Sequence, residues 1–150
     1  MNKLLMLTFA LSINFALSMK NDPELLDHKR NSIISLQNFC YWETGFTKEK
    51  HKLIRDTLAY LSDTNYYCYV GCYCTHLKHL SLFEKTLNFE AVVTSVTRLL
   101  SIPTAHHVIN QCTNISTNSL CAAGREIHDC FAQNGVAIVG LIGYFDGDKN

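Results

Sequence analysis

The sequence predicts an all-α fold in which six short helices are stapled by disulfides into a single domain. Three observations carry this expectation. Apolar residues recur at a period near 3.6 in one segment after another. The two prolines, Pro23 and Pro103, stand where helices begin. Seven cysteines, Cys40, Cys68, Cys72, Cys74, Cys112, Cys121 and Cys130, follow an amino-terminal leader, which places them where thiols are oxidised.

The leader comprises Lys3, the apolar run Leu4–Leu11 and the small-residue ending Ala16-Leu17-Ser18, the pattern a signal peptidase reads. Residues 1–18 are therefore expected to be removed, leaving 19–150 as one secreted, extracellular domain. The apolar run falls short of the roughly 20 residues that span a bilayer, and Lys20, Asn21 and Asp22 follow it, so no membrane insertion is expected. Thirteen Lys and Arg balance thirteen Asp and Glu, which offers no electrostatic partner to nucleic acid.

Asn21 or Asp22 can cap the first helix, with Pro23 at its first position and Leu26, Ile33, Leu36 and Cys40 on one face. Trp42 and Gly45 mark a turn. Thr47 caps a second helix through Ile54, Leu58 and Leu61, with Lys48, Glu49, Lys50 and Lys52 as its solvated side. After the break Ser62–Asn65, the stripe Tyr69, Tyr73, Leu77 and Leu80 predicts a third helix. Leu82–Lys85 reads as a linker. Asn88 caps a fourth segment through Phe89, Val92, Val93, Val96, Leu99 and Leu100, whose valines and threonines also suit a strand. Pro103 opens a fifth helix through Val108, Ile109 and Cys112. Thr117 or Asn118 caps a sixth, which reaches Gln133 and stops at Asn134-Gly135. Residues 136–150 form an apolar, glycine-interrupted tail.

Cys68 and Cys72, about 40° apart around a helix, project from one face toward other elements. Cys121 and Cys130 lie about 900° apart on a continuous helix, so they face opposite sides and need separate partners. Cys74 sits about 200° from Cys72, on the side of Tyr67, Lys78 and Ser81. It reads as a free thiol, an intermolecular bridge or a competitor for a regular bridge.

Three motifs point to sharper chemistries. Gly71-Cys72-Tyr73-Cys74 and His128-Asp129-Cys130 are similar to parts of calcium-dependent secreted phospholipases, but Thr75, His76 and Leu77 occupy positions where a calcium loop needs glycine. A diverged lipolytic enzyme is thus a distant alternative, and no catalytic residue is assigned. Zinc ligation by Cys72, Cys74, His76 and His79 fails because alternate helix residues diverge, so no metal site is expected. Asn114-Ile115-Ser116 is a glycosylation sequon in a predicted loop.

The order Cys40, then Cys68-Tyr-Val-Gly-Cys72, then Cys112, then Cys121 and Cys130 each after eight intervening residues, resembles the six-cysteine signature of insect odorant-binding proteins, the pheromone and general odorant-binding family. Leu82-Phe83-Glu84 and Cys130-Phe131 are also similar to the family pattern. The extra Cys74 and a tail without the proline-containing ending depart from it.

The resemblance implies an apolar cavity and the bridges Cys40–Cys72, Cys68–Cys121 and Cys112–Cys130. It implies ligand contacts from Tyr69, Tyr73, Leu77 and Leu80, from Phe83, and from Phe89, Val92, Val93, Val96 and Leu100. Val108 and Ile109, Ile127 and Phe131, and Tyr144 and Phe145 of the tail complete the expected set. The implied activity is reversible carriage of odorants, pheromones or other small hydrophobic molecules by a non-enzyme without cofactor, with a chemosensory receptor as a further partner. A monomer or weak dimer is expected, with a Cys74-linked dimer as one form. A secreted effector working through ligand or protein binding outside olfaction is the alternative.

Overall fold

A computed structural model of the chain describes residues 23–57, 63–96, 100–136 and 138. The leader at 1–18 and the tail positions Tyr144 and Phe145 lie outside the described residues. Six helices and one two-stranded hairpin are present among the described residues: α1 Pro23–Thr44, α2 Lys48–Thr57, α3 Thr64–His76, β1 Leu80–Ser81, β2 Thr86–Leu87, α4 Phe89–Val96, α5 Ile102–Gln111 and α6 Leu120–Gln133. Contacts divide the chain into a unit ending at Ser35 and a second from Leu36 onward. In the first, Ser32 Oγ donates back to the His28 carbonyl (2.9 Å); all that follows concerns the second.

The helix starts obey capping chemistry. Thr47 Oγ1 accepts from the Lys50 N–H (3.3 Å), Asp63 from Asn65 (2.9 Å), Asn88 from Ala91 (3.2 Å) and Ser101 from Thr104 (3.4 Å). Lys50 also pairs with Asp63 at 2.5 Å. That ammonium, with the Asn65 N–H, holds the Asp63 carboxyl below the usual carboxylate range. The sixth helix is capped one residue later than expected, at Ser119; Thr117 instead bonds the Ser119 N–H (3.0 Å).

The helix ends differ more from the sequence reading. α1 runs a turn past Cys40 to Thr44, stopping where Gly45 takes φ +66°. α3 ends at His76, short of the expected Leu80. Lys78 adopts φ +58°, its N–H donates to the Thr75 carbonyl (3.0 Å), and His79 N–H donates to Cys74 (2.8 Å), the crossed pair of a Schellman stop. A lysine thus occupies a position that usually selects glycine. The chain leaves the helix as β1, and the expected linker 82–85 is the turn of a hairpin pairing Leu80 with Leu87 and Ser81 with Thr86. α6 ends in the same crossed pattern with Gly135 at φ +74° and Val136 N–H on the Phe131 carbonyl (2.9 Å).

Bridges join Cys40 to Cys72, Cys68 to Cys121 and Cys112 to Cys130. Each closed loop removes roughly 3–4 kcal/mol of denatured-chain entropy on the loop-closure account. The main helix contact is α3 against α6. Two glycines make it close: a Cβ on Gly71 would lie 2.2 Å from the Leu120 carbonyl oxygen, and one on Gly124 2.0 Å from that of Tyr67. The Cys68 and Cys121 Cα atoms are correspondingly only 3.8 Å apart, below the usual range of about 4.4–6.8 Å.

Because backbone faces backbone at that crossing, Gly124→Ala is expected to destabilise the protein by about 3 kcal/mol or more, measured by guanidinium unfolding of the oxidised chain. Lys78→Gly is expected to do the opposite, adding up to about 1 kcal/mol by removing the left-handed penalty on a Cβ-bearing residue; an unchanged unfolding midpoint would contradict it.

Candidate functional site

The half of the interior nearest α1 and α2 is an aromatic cluster. Tyr41 of α1 stacks on Tyr69 of α3 at 4.9 Å and 13°. Phe46, Tyr66 and His51 complete it, with Phe46 at 5.3 Å from Tyr69 and 5.6 Å from Tyr66. His51 is wholly buried on α2, edge-on to Tyr69 (5.0 Å), and its Nδ1 shares a 2.6 Å hydrogen bond with the Tyr41 hydroxyl. Burial pushes the Tyr69 phenol far above its ordinary value, helped by the neighbouring Tyr41 and Tyr73. Offset and edge-on ring pairs of this kind add specificity beyond burial, so this region is packed core. Tyr69, expected on a cavity wall, belongs largely to it.

The buried residues of α5, α6 and the hairpin are mostly aliphatic. α5 buries Ala105, Val108 and Ile109; α6 buries Ala123, Ile127 and Phe131. The Cys112–Cys130 bridge ties the ends of these two rows together, and the Asn134 side-chain amide donates to its two sulfurs (3.8 and 3.9 Å). Val92 on α4, which packs on α5, is buried too, as are Leu80 and Leu87 of the hairpin. Val136 and Ile138, just beyond α6, are buried, so the start of the apolar tail belongs to the interior. Tyr73, buried at the end of α3, has its phenol pushed up to about 12 by desolvation.

The remaining expected contacts fall elsewhere. Leu77, Val93 and Leu100 are half-buried. Phe83 is 97% exposed at the hairpin turn and lines no interior, a correction with a simple cause: the segment read as a linker is a tight turn whose outward side faces solvent. The side chains of Phe89 and Val96, and all of Tyr144 and Phe145, lie outside what is described.

Two clefts formed by described residues are open to solvent. One, of about 350 Å³, lies between the end of α3 and the hairpin and includes Lys78, Ser81, Glu84 and Asn88. The other, of about 300 Å³, includes Tyr67, Cys121 and Arg125, whose guanidinium lies 4.6 Å above the Tyr67 ring.

Several chemistries lose their support in this geometry. His128 contacts Asp129 (3.0 Å) and is 5% exposed, wedged edge-on between the rings of Tyr66 (5.5 Å) and Tyr67 (5.4 Å). His76 lies edge-on to Phe39 at 5.0 Å, and burial lowers the pKa of His79. No group of three His, Cys, Asp or Glu side chains gathers around a metal position among the described residues. Nor is any described helix long and apolar enough to cross a membrane.

Cys74 is the free cysteine, and it is buried: 6% exposed, with its thiol pushed up to about 12 by desolvation. The side of α3 opposite the bridges is therefore covered as well. In this packing the Cys74 sulfur lies inside and is not presented at the surface.

Residues that the sequence reading passed over include Tyr41, Phe46, His51 and Tyr66 of the cluster and Gly71 and Gly124 at the crossing. The available signals were His51 three residues before Ile54 on one helical face, and a glycine inside a helical pattern, which is costly unless another backbone approaches it.

The sequence profile of the PBP/GOBP family matches residues 23–134. Among solved structures, the fatty acid binding protein OBP56a from the oral disk of the blowfly Phormia regina is similar, with a TM-score of 0.56 and 14% identity over 72% of this chain and 92% of that one. No curated protein sequence matches the chain.

Thiol chemistry checks the buried sulfur directly. The native protein is expected to show no reaction with a bulky aromatic disulfide at neutral pH and one thiol per chain after guanidinium unfolding, since only the thiolate reacts and burial disfavours it. Rapid labelling of the native chain would contradict the packing around Cys74.

Proposed function

We propose, from the premise that this chain belongs to the PBP/GOBP family, that it is a secreted carrier which reversibly buries a small hydrophobic molecule. The observation that carries this reading is the pair of buried aliphatic rows on α5 and α6, joined at one end by Cys112–Cys130 and continued by Val136 and Ile138. These are groups that can contact an apolar ligand without leaving a polar atom unsatisfied. Odorants and pheromones are the cargo class that family membership supports. The fatty acid bound by the blowfly protein makes a long-chain fatty acid the first ligand to try.

The mechanism requires no bond-making. An apolar ligand that loses about 300 Å² of surface to the protein gains about 7–8 kcal/mol. Association and ordering costs reduce this to the micromolar range, suited to pick-up and release. The bridges contribute by holding the walls in place, so that less ordering remains to be done on binding.

A second reading, an effector that docks on a protein, draws on the exposed aromatics of α1. Trp42 is 78% exposed and lies 6.4 Å from Phe39, which is 42% exposed. The two readings separate in one titration. A fluorescent apolar probe should bind saturably and be displaced by a long-chain fatty acid at micromolar concentration. Val108→Trp, which fills space on the α5 row, should weaken displacement at least tenfold while the helical content and the three bridges persist. An absence of saturable binding would remove the carrier reading and leave the docking one.

A further inference from the structure

The sequon Asn114-Ile115-Ser116 lies in the loop between α5 and α6, inside the 18-residue interval closed by Cys112–Cys130. Its three residues meet different environments. Asn114 is exposed, although its backbone bridges to Thr86 as an added strand beside β2. Ile115 is 6% exposed, and its N–H donates to the Lys85 carbonyl at 2.8 Å. Leu87 N–H donates to the Thr113 carbonyl at 2.9 Å on the other side. Ser116 is held by α6: its N–H donates to Glu126 Oε2 at 2.7 Å and its hydroxyl donates to Glu126 Oε1.

The side chain that would carry a glycan therefore points to solvent, where a bulky, hydrated group costs the fold nothing. The backbone and hydroxyl that make the sequon readable are occupied. An enzyme that takes this tripeptide as a free extended chain would have to break the Ile115 and Leu87 ladder bonds, extract Ile115 and release Ser116 from Glu126. We propose that Asn114 is an N-glycosylation site that is modified before the α5–α6 loop closes and is refused afterwards. This inference rests on the secretion reading above.

The chemistry needs an oligosaccharide carried on a polyprenyl diphosphate. Asn114 Nδ2 forms a bond to the anomeric carbon of the first sugar as the bond from that carbon to the diphosphate oxygen breaks. One amide proton is lost to a base, and the polyprenyl diphosphate departs. No oxidation or reduction occurs. Closure of Cys112–Cys130 and capture of Ser116 by Glu126 compete with this transfer, so the order of events sets the occupied fraction. The attached glycan then stands beside the hairpin, on the outer side of the bridge Thr86–Asn114, without entering the apolar interior.

The test uses the full chain expressed in insect cells, with protein from the medium weighed before and after peptide-N-glycosidase F. The expected result is the loss of one oligosaccharide with deamidation confined to position 114, and no mass change for N114Q secreted in parallel. For the order of events, unglycosylated protein is offered to solubilised microsomal transferase and lipid-linked oligosaccharide, either folded and oxidised or reduced and alkylated. Transfer to the reduced chain is expected to be at least tenfold faster. Unmodified Asn114 in secreted protein overturns the site, and equal transfer to both forms overturns the ordering. A chain that stays in the cytosol without a glycan overturns the secretion reading along with it.

Discussion

The close approach of α3 and α6 is the constraint on which the other contacts depend. Gly71 faces the Leu120 carbonyl and Gly124 faces the Tyr67 carbonyl and the Gly71 nitrogen, so two backbones meet with no side chain between them. A glycine inside a helix costs roughly 0.5–1 kcal/mol against alanine, and here that cost is offset by the approach it permits. The same approach brings Cys68 and Cys121 within bonding reach. Helix α3 then has two fixed neighbours, because Cys72, one turn along, binds Cys40 of α1.

With α3 fixed, its remaining faces divide the interior by chemistry. Tyr66 and Tyr69 project toward Phe46, Tyr41 and His51 and build a rigid ring-packed region. The rows of α5 and α6 meet through Cys112–Cys130 and present aliphatic side chains. The stacked rings fix one region through oriented contacts, whereas the apolar side chains of α5 and α6 make no directional bonds. Bridges and helix crossings restrict the backbone, whereas wall residues need only be apolar and of suitable size.

Much of this was legible from the chain. Caps at Thr47, Asp63 and Asn88, the proline near the start of α5 and the Asn134-Gly135 stop are local chemistry that acts within four residues, so they could be read without knowing any tertiary partner. The hairpin was missed because its stop residue is a lysine in a left-handed conformation, and a sequence offers no warning when a residue with a Cβ takes a glycine's place. Phe83 entered the expected contacts through the family resemblance alone, and the hairpin turn it occupies leaves it exposed. Ring packing also buries His51 and His128, which the periodicity of their own helices does not announce.

By itself the sequence determined the helical periodicity, the capping, and the geometric fact that Cys68 and Cys72 share a face while Cys121 and Cys130 do not, because each of these is a property of one helix. The tertiary structure decided which neighbours those faces meet. It buried Cys74 on the side that helix geometry could place but not cover, made Gly71 and Gly124 a crossing point, and set a ring-packed region apart from the apolar rows of α5 and α6. Periodicity states which way a residue points along its own helix; only the packing of several helices states what stands opposite it.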